Sequence, residues 1–146
     1  MQVLRDPHYG AALGAAPLFW LLLLLLLPGI AGPAWALQNP MRFLLIALAF
    51  PLLEEMTFRG LLQPALYRRR WGPVHHLGLS AANWLTSLAF AASHLVWHDA
   101  LQALAVFVPG LVFGHFRDRY ARITPSVLLH MFYNTGFALL FAGAAR

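Results

Sequence analysis

The chain has 146 residues, of which 60% are hydrophobic and 10% charged, whereas soluble domains are about one quarter charged. Runs such as LFWLLLLLLLPGI and FLLIALAFPLL approach the ~20 apolar residues that cross a bilayer, so the expectation is an integral membrane protein. There is no cysteine, and all ten basic residues are arginine. Disulfides, thiolate metal sites, a cysteine nucleophile, a Ser–Lys dyad and a lysine Schiff base are therefore excluded. The net charge of +5 comes from arginines clustered between apolar stretches. That pattern suits loops facing anionic lipid, not a nucleic-acid surface.

Five apolar stretches follow in chain order, about 11–37, 41–66, 78–97, 100–116 and 123–142. Backbone N–H and C=O groups in lipid need internal partners, which an open sheet edge cannot supply. The predicted fold is all-α, an integral membrane bundle of about five transmembrane helices. Arg5, a leucine-rich run and Ala34-Trp35-Ala36 could make a cleaved signal, but Pro28, Gly29, Gly32 and Pro33 form too long and irregular a tail. Retention of 1–40 as an N-terminal transmembrane segment is expected; cleavage would leave four helices in the same orientation.

With all five stretches crossing, seven arginines (Arg5, Arg68, Arg69, Arg70, Arg117, Arg119 and Arg122) fall on one side, and Arg42 and Arg146 on the other. The positive-inside rule then puts the N-terminus in the cytoplasm and the C-terminus outside. Trp35, Trp71 and Trp97 suit an interfacial belt, while Trp20 and Trp84 lie mid-stretch as packing residues.

Ionisable groups inside a span cost about 2.5–3.5 kcal/mol each on insertion scales, so each needs a reason. The second stretch holds Glu54, Glu55 and Arg59. Glu55 and Arg59 are four apart and can pair along one helical face, while Glu54 points about 100° away and cannot share Arg59 equally. His94 lies near the end of the third stretch, with His98 one turn further, beside Asp99 in an outer loop. His130 and Asn134 share a face of the fifth. Measured from the cytoplasmic helix ends, taken as Arg68, Leu79 and Arg122, at ~1.5 Å per residue, Glu54, His94 and Asn134 lie ~21, ~22 and ~18 Å deep, and His130 ~12 Å. A lone buried His or Asn is ordinarily a packing residue tying helices together. The agreement in depth of groups from three stretches argues for more. His8, His75, His76 and His115 fall in loops or near stretch ends and read as solvated or interfacial.

A carboxylate, imidazoles and an amide donor are the equipment for hydrolysing an amide with an activated water and no covalent intermediate. Competing intramembrane chemistries lack their residues. No H-E-x-x-H is present; Asp6, Asp99 and Asp118 lie outside stretch centres; and Ser80, Ser87, Ser93 and Ser126 sit in no glycine-flanked elbow.

Glu54-Glu55-Met-Thr-Phe-Arg59-Gly60, Phe90-Ala-Ala-Ser-His94 and His130-Met-Phe-Tyr-Asn134, in that order, resemble the CAAX-protease and bacteriocin-processing (Abi) family of intramembrane endopeptidases. That family carries E-E-x-x-x-R, F-x-x-x-H and H-x-x-x-N or D. The resemblance covers about 41–142, so 41–146 is read as the protease core. It implies that Glu54 is the general base, that His94 helps to hold the water, and that His130 and Asn134 stabilise the oxyanion. Glu55 and Arg59 would brace the site. No cofactor is expected. The alternative, zinc held by Glu54, His94 and His130, needs three atoms within ~2.0–2.2 Å of one point, and the depth of His130 argues against it. The implied partners are the bilayer and a membrane-anchored peptide substrate, such as a C-terminal sorting tail, in a bacterial cytoplasmic membrane. The non-enzymatic alternatives are an immunity or scaffold protein that keeps the cluster only to hold its helices, and a haem- or metal-binding protein using the seven histidines.

Overall fold

A computed structural model of the chain describes residues 3–26 and 33–141, with the backbone alone at Leu26. Pro28, Gly29, Gly32 and Arg146, used above for the signal and the orientation, lie outside the described residues. The described chain is nearly all helical. A 3-10 turn at Val3–Arg5 leads into α1 (Pro7–Leu26), α2 (Ala34–Gln38) and α3 (Pro40–Leu44). The helix then continues as π1 (Leu45–Ala49), α4 (Phe50–Glu55), π2 (Met56–Leu62) and α5 (Gln63–Tyr67). After a short hairpin come α6 (Ala81–His94), α7 (Ala100–Ala105), α8 (Phe107–Tyr120) and α9 (Thr124–Phe141). Among the described residues, Pro7–Leu25 and Ala100–Tyr120 are long and apolar enough to cross a membrane.

The two π-helical turns have a cause in the sequence. π1 ends two residues before Pro51 and π2 two residues before Pro64. A proline ring presses on the carbonyl four residues back and offers it no N–H. Widening the preceding turn to i→i+5 bonding relieves the clash.

Two expectations need correction. The third stretch was expected to be helical from 78. Instead β1 (His75–His76) and β2 (Leu79–Ser80) form an antiparallel hairpin, pairing His75 with Ser80 and His76 with Leu79. Leu77 and Gly78 turn it with φ of 52° and 79°, the two positive φ values that a tight hairpin turn needs. The helix starts only at Ala81 because the Ser80 side chain accepts the Asn83 N–H as an N-cap. Trp84, expected mid-span, lies in the first turn of α6 and donates its indole N–H to the His76 carbonyl at 3.0 Å. The fourth stretch was expected to end near 116. α8 runs to Tyr120 and closes at Ala121, in left-handed conformation with φ 52°. Arg117 and Arg119 thus belong to its last turn, where cations suit the helix dipole, and His115 is a half-buried residue inside the helix.

The chain forms two compact units, 1–52 with 128–146, and 53–127. In the first, Tyr133 donates its hydroxyl to the Ala12 carbonyl at 2.7 Å. Trp20 packs on Phe132 at 5.3 Å and lies so close to Gly136 that no Cβ would fit there. Trp20 is thus a packing residue. In the second unit α6 packs along α8, and α8 presents Gly110 and Gly114, four apart, to its neighbours. A Cβ at Gly114 would collide with the Asn83 amide, and one at Gly110 would crowd Phe90, Arg59 and Ser87. Small residues at such spacing let helices approach closely.

Candidate active site

Glu54 and Glu55 end α4, and Arg59 sits in π2. The predicted pair forms: Arg59 Nη1 lies 3.0 Å from Glu55 Oε1, with both side chains fully buried. Arg59 Nη2 donates to the Gly110 carbonyl at 2.8 Å. Its guanidinium stacks over the Phe90 ring at 4.5 Å and faces the Phe113 ring at 5.6 Å, and desolvated contacts of that kind contribute about 2 kcal/mol. Glu54 is half-buried, in keeping with its different direction on the helix.

One turn on, Gln63 repeats the pattern. Its amide donates to the Gly114 carbonyl at 2.9 Å and to Asp118 Oδ1 at 2.8 Å, and Ser80 donates to the other oxygen of Asp118. Arg59 and Gln63, four apart, thus meet Gly110 and Gly114, also four apart. Asn83 adds a bond to the Leu111 carbonyl at 2.9 Å and accepts the Ser87 hydroxyl at 3.0 Å. The Arg59 carbonyl, in π2, accepts Arg117 Nε at 2.9 Å. Asp118, Gln63 and Asn83 hold this core together, a role that the sequence alone does not assign to Gln63 or Asn83. The only signal was the matched i, i+4 spacing on two helices, which cannot be paired without knowing that they touch.

His94 closes α6. Its Nδ1 lies 2.9 Å from the Phe90 carbonyl; a carbonyl only accepts, so Nδ1 carries the proton and Nε2 of the neutral ring is an acceptor. The same Phe90 meets the imidazole edge-on at 4.7 Å. Phe90 therefore joins two of the sequence patterns: its ring covers Arg59, and its carbonyl orients His94. That gives a physical reason for a Phe four residues before the His.

Glu54, Glu55, Arg59 and His94 fall in the second unit; His130 and Asn134 fall in the first. His130 is buried, and Asn134, half-buried, donates Nδ2 to the Ile46 carbonyl at 3.2 Å. Ile46 belongs to π1, so each π turn offers a carbonyl to a side chain from another helix. The Asn134 amide has a second N–H beyond that bond. Ser126, set aside as a nucleophile, is buried and donates to the Phe113 carbonyl at 2.7 Å. Among the described residues no three His, Asp or Glu side chains gather closely enough to hold a metal ion.

A buried carboxylate–guanidinium pair, joined through Phe90 to an oriented histidine, thus lies in an almost entirely helical chain, with two helices among the described residues long and apolar enough to cross a membrane. The model of the family described as type II CAAX prenyl endopeptidase Rce1-like matches residues 35–136. The chain belongs to this family of CAAX-type intramembrane proteases, and its substrate is a peptide or protein in a membrane. No curated protein and no solved structure matches it.

Proposed function

We propose that the chain cleaves a membrane-anchored peptide by a glutamate mechanism. Glu54 takes a proton from water, and the Nε2 lone pair of His94 accepts a hydrogen bond from the same water and holds it. The hydroxide attacks the scissile carbonyl, and the resulting oxyanion accepts hydrogen bonds from His130 and from the second N–H of Asn134. Glu54 then returns the proton to the leaving amine. Glu55 and Arg59 fix the helix that carries the base. The observation that carries this reading is the Phe90 link, which sets His94 in a defined tautomer beside the turn bearing Arg59.

The test is turnover of a membrane-anchored peptide by the purified, lipid-reconstituted chain. Glu54→Gln should abolish it while helical content and thermal melting are retained; near-normal turnover would sink the assignment. The substrate class we favour is a C-terminal tail close to the bilayer, which a comparison of membrane-proteome termini with and without the protein would reveal.

The reaction is proposed to run without metal. The depth mismatch of His130 suits a hydrogen-bonding role, for which a donor need only reach ~2.7–3.1 Å from the oxyanion. A carbonyl-bound Nδ1 also orients metal-ligating histidines, so the discriminating measurement is chelation. Loss of activity with chelator and its recovery on adding zinc would favour a zinc enzyme.

The five-span orientation completes the proposal, with the Arg68–Arg70 loop cytoplasmic and the C-terminus outside. Reporters fused at Arg70 and Arg146 should report opposite sides.

A further inference from the structure

We propose that His94 and His98 form a two-imidazole site for a divalent transition-metal ion at the C-terminal end of α6. Occupancy of the site inhibits the enzyme, a consequence that rests on the role given to His94 above. The chain continues its helical turn past His94, for the His98 N–H donates to the His94 carbonyl at 2.8 Å. Residues four apart on such a turn are neighbours, and the two imidazoles stand 5.9 Å apart between centroids, inclined by only 22°. Both rings are oriented by an oxygen at Nδ1. His94 donates to the Phe90 carbonyl at 2.9 Å and His98 to Gln102 Oε1 at 2.9 Å. Each neutral ring therefore presents Nε2 as a lone-pair donor, with the other nitrogen anchored in the way that metal-ligating histidines are anchored.

The site is accessible, since His98 is exposed and His94 only half-buried. The neighbouring Asp99 is occupied as the N-cap of α7, where it accepts the Gln102 N–H at 2.9 Å. Imidazole nitrogens select zinc, nickel and copper over calcium and magnesium. With metal–nitrogen bonds of ~2.0–2.1 Å at a tetrahedral angle, two ring centroids lie roughly 5 Å apart. The observed pair needs to close by about 1 Å, within the reach of side-chain rotation in the exposed turn that carries His98. Two protein ligands leave coordination positions to water, so the ion exchanges. Nε2 of His94, once bound to metal, can no longer accept a hydrogen bond from the attacking water.

The experiment is equilibrium dialysis of the tag-free, full-length chain in detergent against zinc, with cleavage assayed on the same samples. The wild type should bind one zinc ion and lose activity as it fills. Removing a partner that only orients a metal ligand weakens binding about 10–100-fold, so His98→Ala, which removes a ligand itself, should weaken binding by more than about tenfold. That variant should keep basal cleavage and lose sensitivity to zinc. Unchanged binding in Glu54→Gln and in the double variant His75→Ala/His76→Ala would support the assignment. Wild-type binding by His98→Ala would overturn it, and so would loss of binding in Glu54→Gln or His130→Ala, which would place the ion elsewhere. Because zinc is measured directly, a failure of the glutamate mechanism leaves this result readable.

Discussion

The two compact units differ in the balance of what they bury, although the first also buries Asp6 and His130 and the second Phe90, Phe113 and Phe116. The first packs small and apolar groups such as Ala12, Ala16, Ala47 and Ala138, whereas the second buries Glu55, Arg59, Gln63, Asn83, Thr86 and Ser87. Both turn large apolar residues outward, for instance Leu18, Leu22 and Leu25 in the first and Leu61, Leu88 and Val108 in the second. In lipid, a leucine gains little by leaving the hydrocarbon for the protein interior, so association rests on close packing and interhelical hydrogen bonds. The first unit uses mainly the former. The second adds a polar network that ends on the carbonyls of Gly110, Leu111 and Gly114, and the residues proposed for water activation lie in this polar unit. Removing one member of such a network leaves its buried partners without a hydrogen bond, which is costly in low dielectric.

The sharpest way to separate chemistry from scaffolding in the polar unit is to compare its acids. Glu54→Gln should lower turnover by about 10²–10⁴-fold, the usual contribution of a general base, with the melting temperature unchanged. Asp118→Asn keeps the size but replaces one of the two carboxylate oxygens, which accept separately from Gln63 and Ser80, with an NH2 donor, so it should lower the melting temperature and the folded yield instead. An Asp118 variant that folds normally and fails only in turnover would move that residue into the chemistry.

The next effect tests whether the ion pair is structural. Arg59→Leu leaves Glu55 buried beside no cation, and breaking a buried pair costs about 3–5 kcal/mol. Replacing both by leucine should cost less than the sum of the single changes, because no uncompensated charge remains. Denaturant titration in detergent micelles reads this cycle, and additive losses would show that the pair is not coupled.

In the apolar unit, Asn134→Ala should reduce turnover by about 10²–10³-fold, as removal of one oxyanion donor does, and should cost little stability beyond one bond to Ile46. A large fall in stability with normal turnover of the folded fraction would make Asn134 a helix tie only. The smallest effects come from glycines in the two units. Gly114→Ala drives a Cβ into the Asn83 amide and disturbs the network, so it should lower the melting temperature more than Gly136→Ala, where the nearest atoms all belong to the Trp20 ring. The reverse order would mean that the polar core yields more easily than the aromatic contact.

The residues themselves determined the class. Apolar runs with no soluble alternative dictate helices, since lipid offers no partner to an unpaired backbone, and the i, i+4 spacing of Glu55 and Arg59 sufficed for their ion pair, a contact within one helix. The three spaced patterns identified the family without any knowledge of which helices touch. Local chemistry that competes with helix was harder to read: Ser80 as a cap and the Leu77–Gly78 turn override an apolar stretch that otherwise reads as continuous helix. The π turns were legible only in hindsight from Pro51 and Pro64, because a proline can also kink or end a helix. What the tertiary structure alone decided are contacts between residues far apart in the chain: Gln63 and Ser80 on Asp118, Asn83 on Leu111, Arg59 on Gly110, and Phe90 joining Arg59 to His94. Sequence spacing fixes the faces of a single helix, but the choice of partner carbonyl depends on which helices lie close enough to meet, and at Gly110 and Gly114 that closeness follows from the missing side chain.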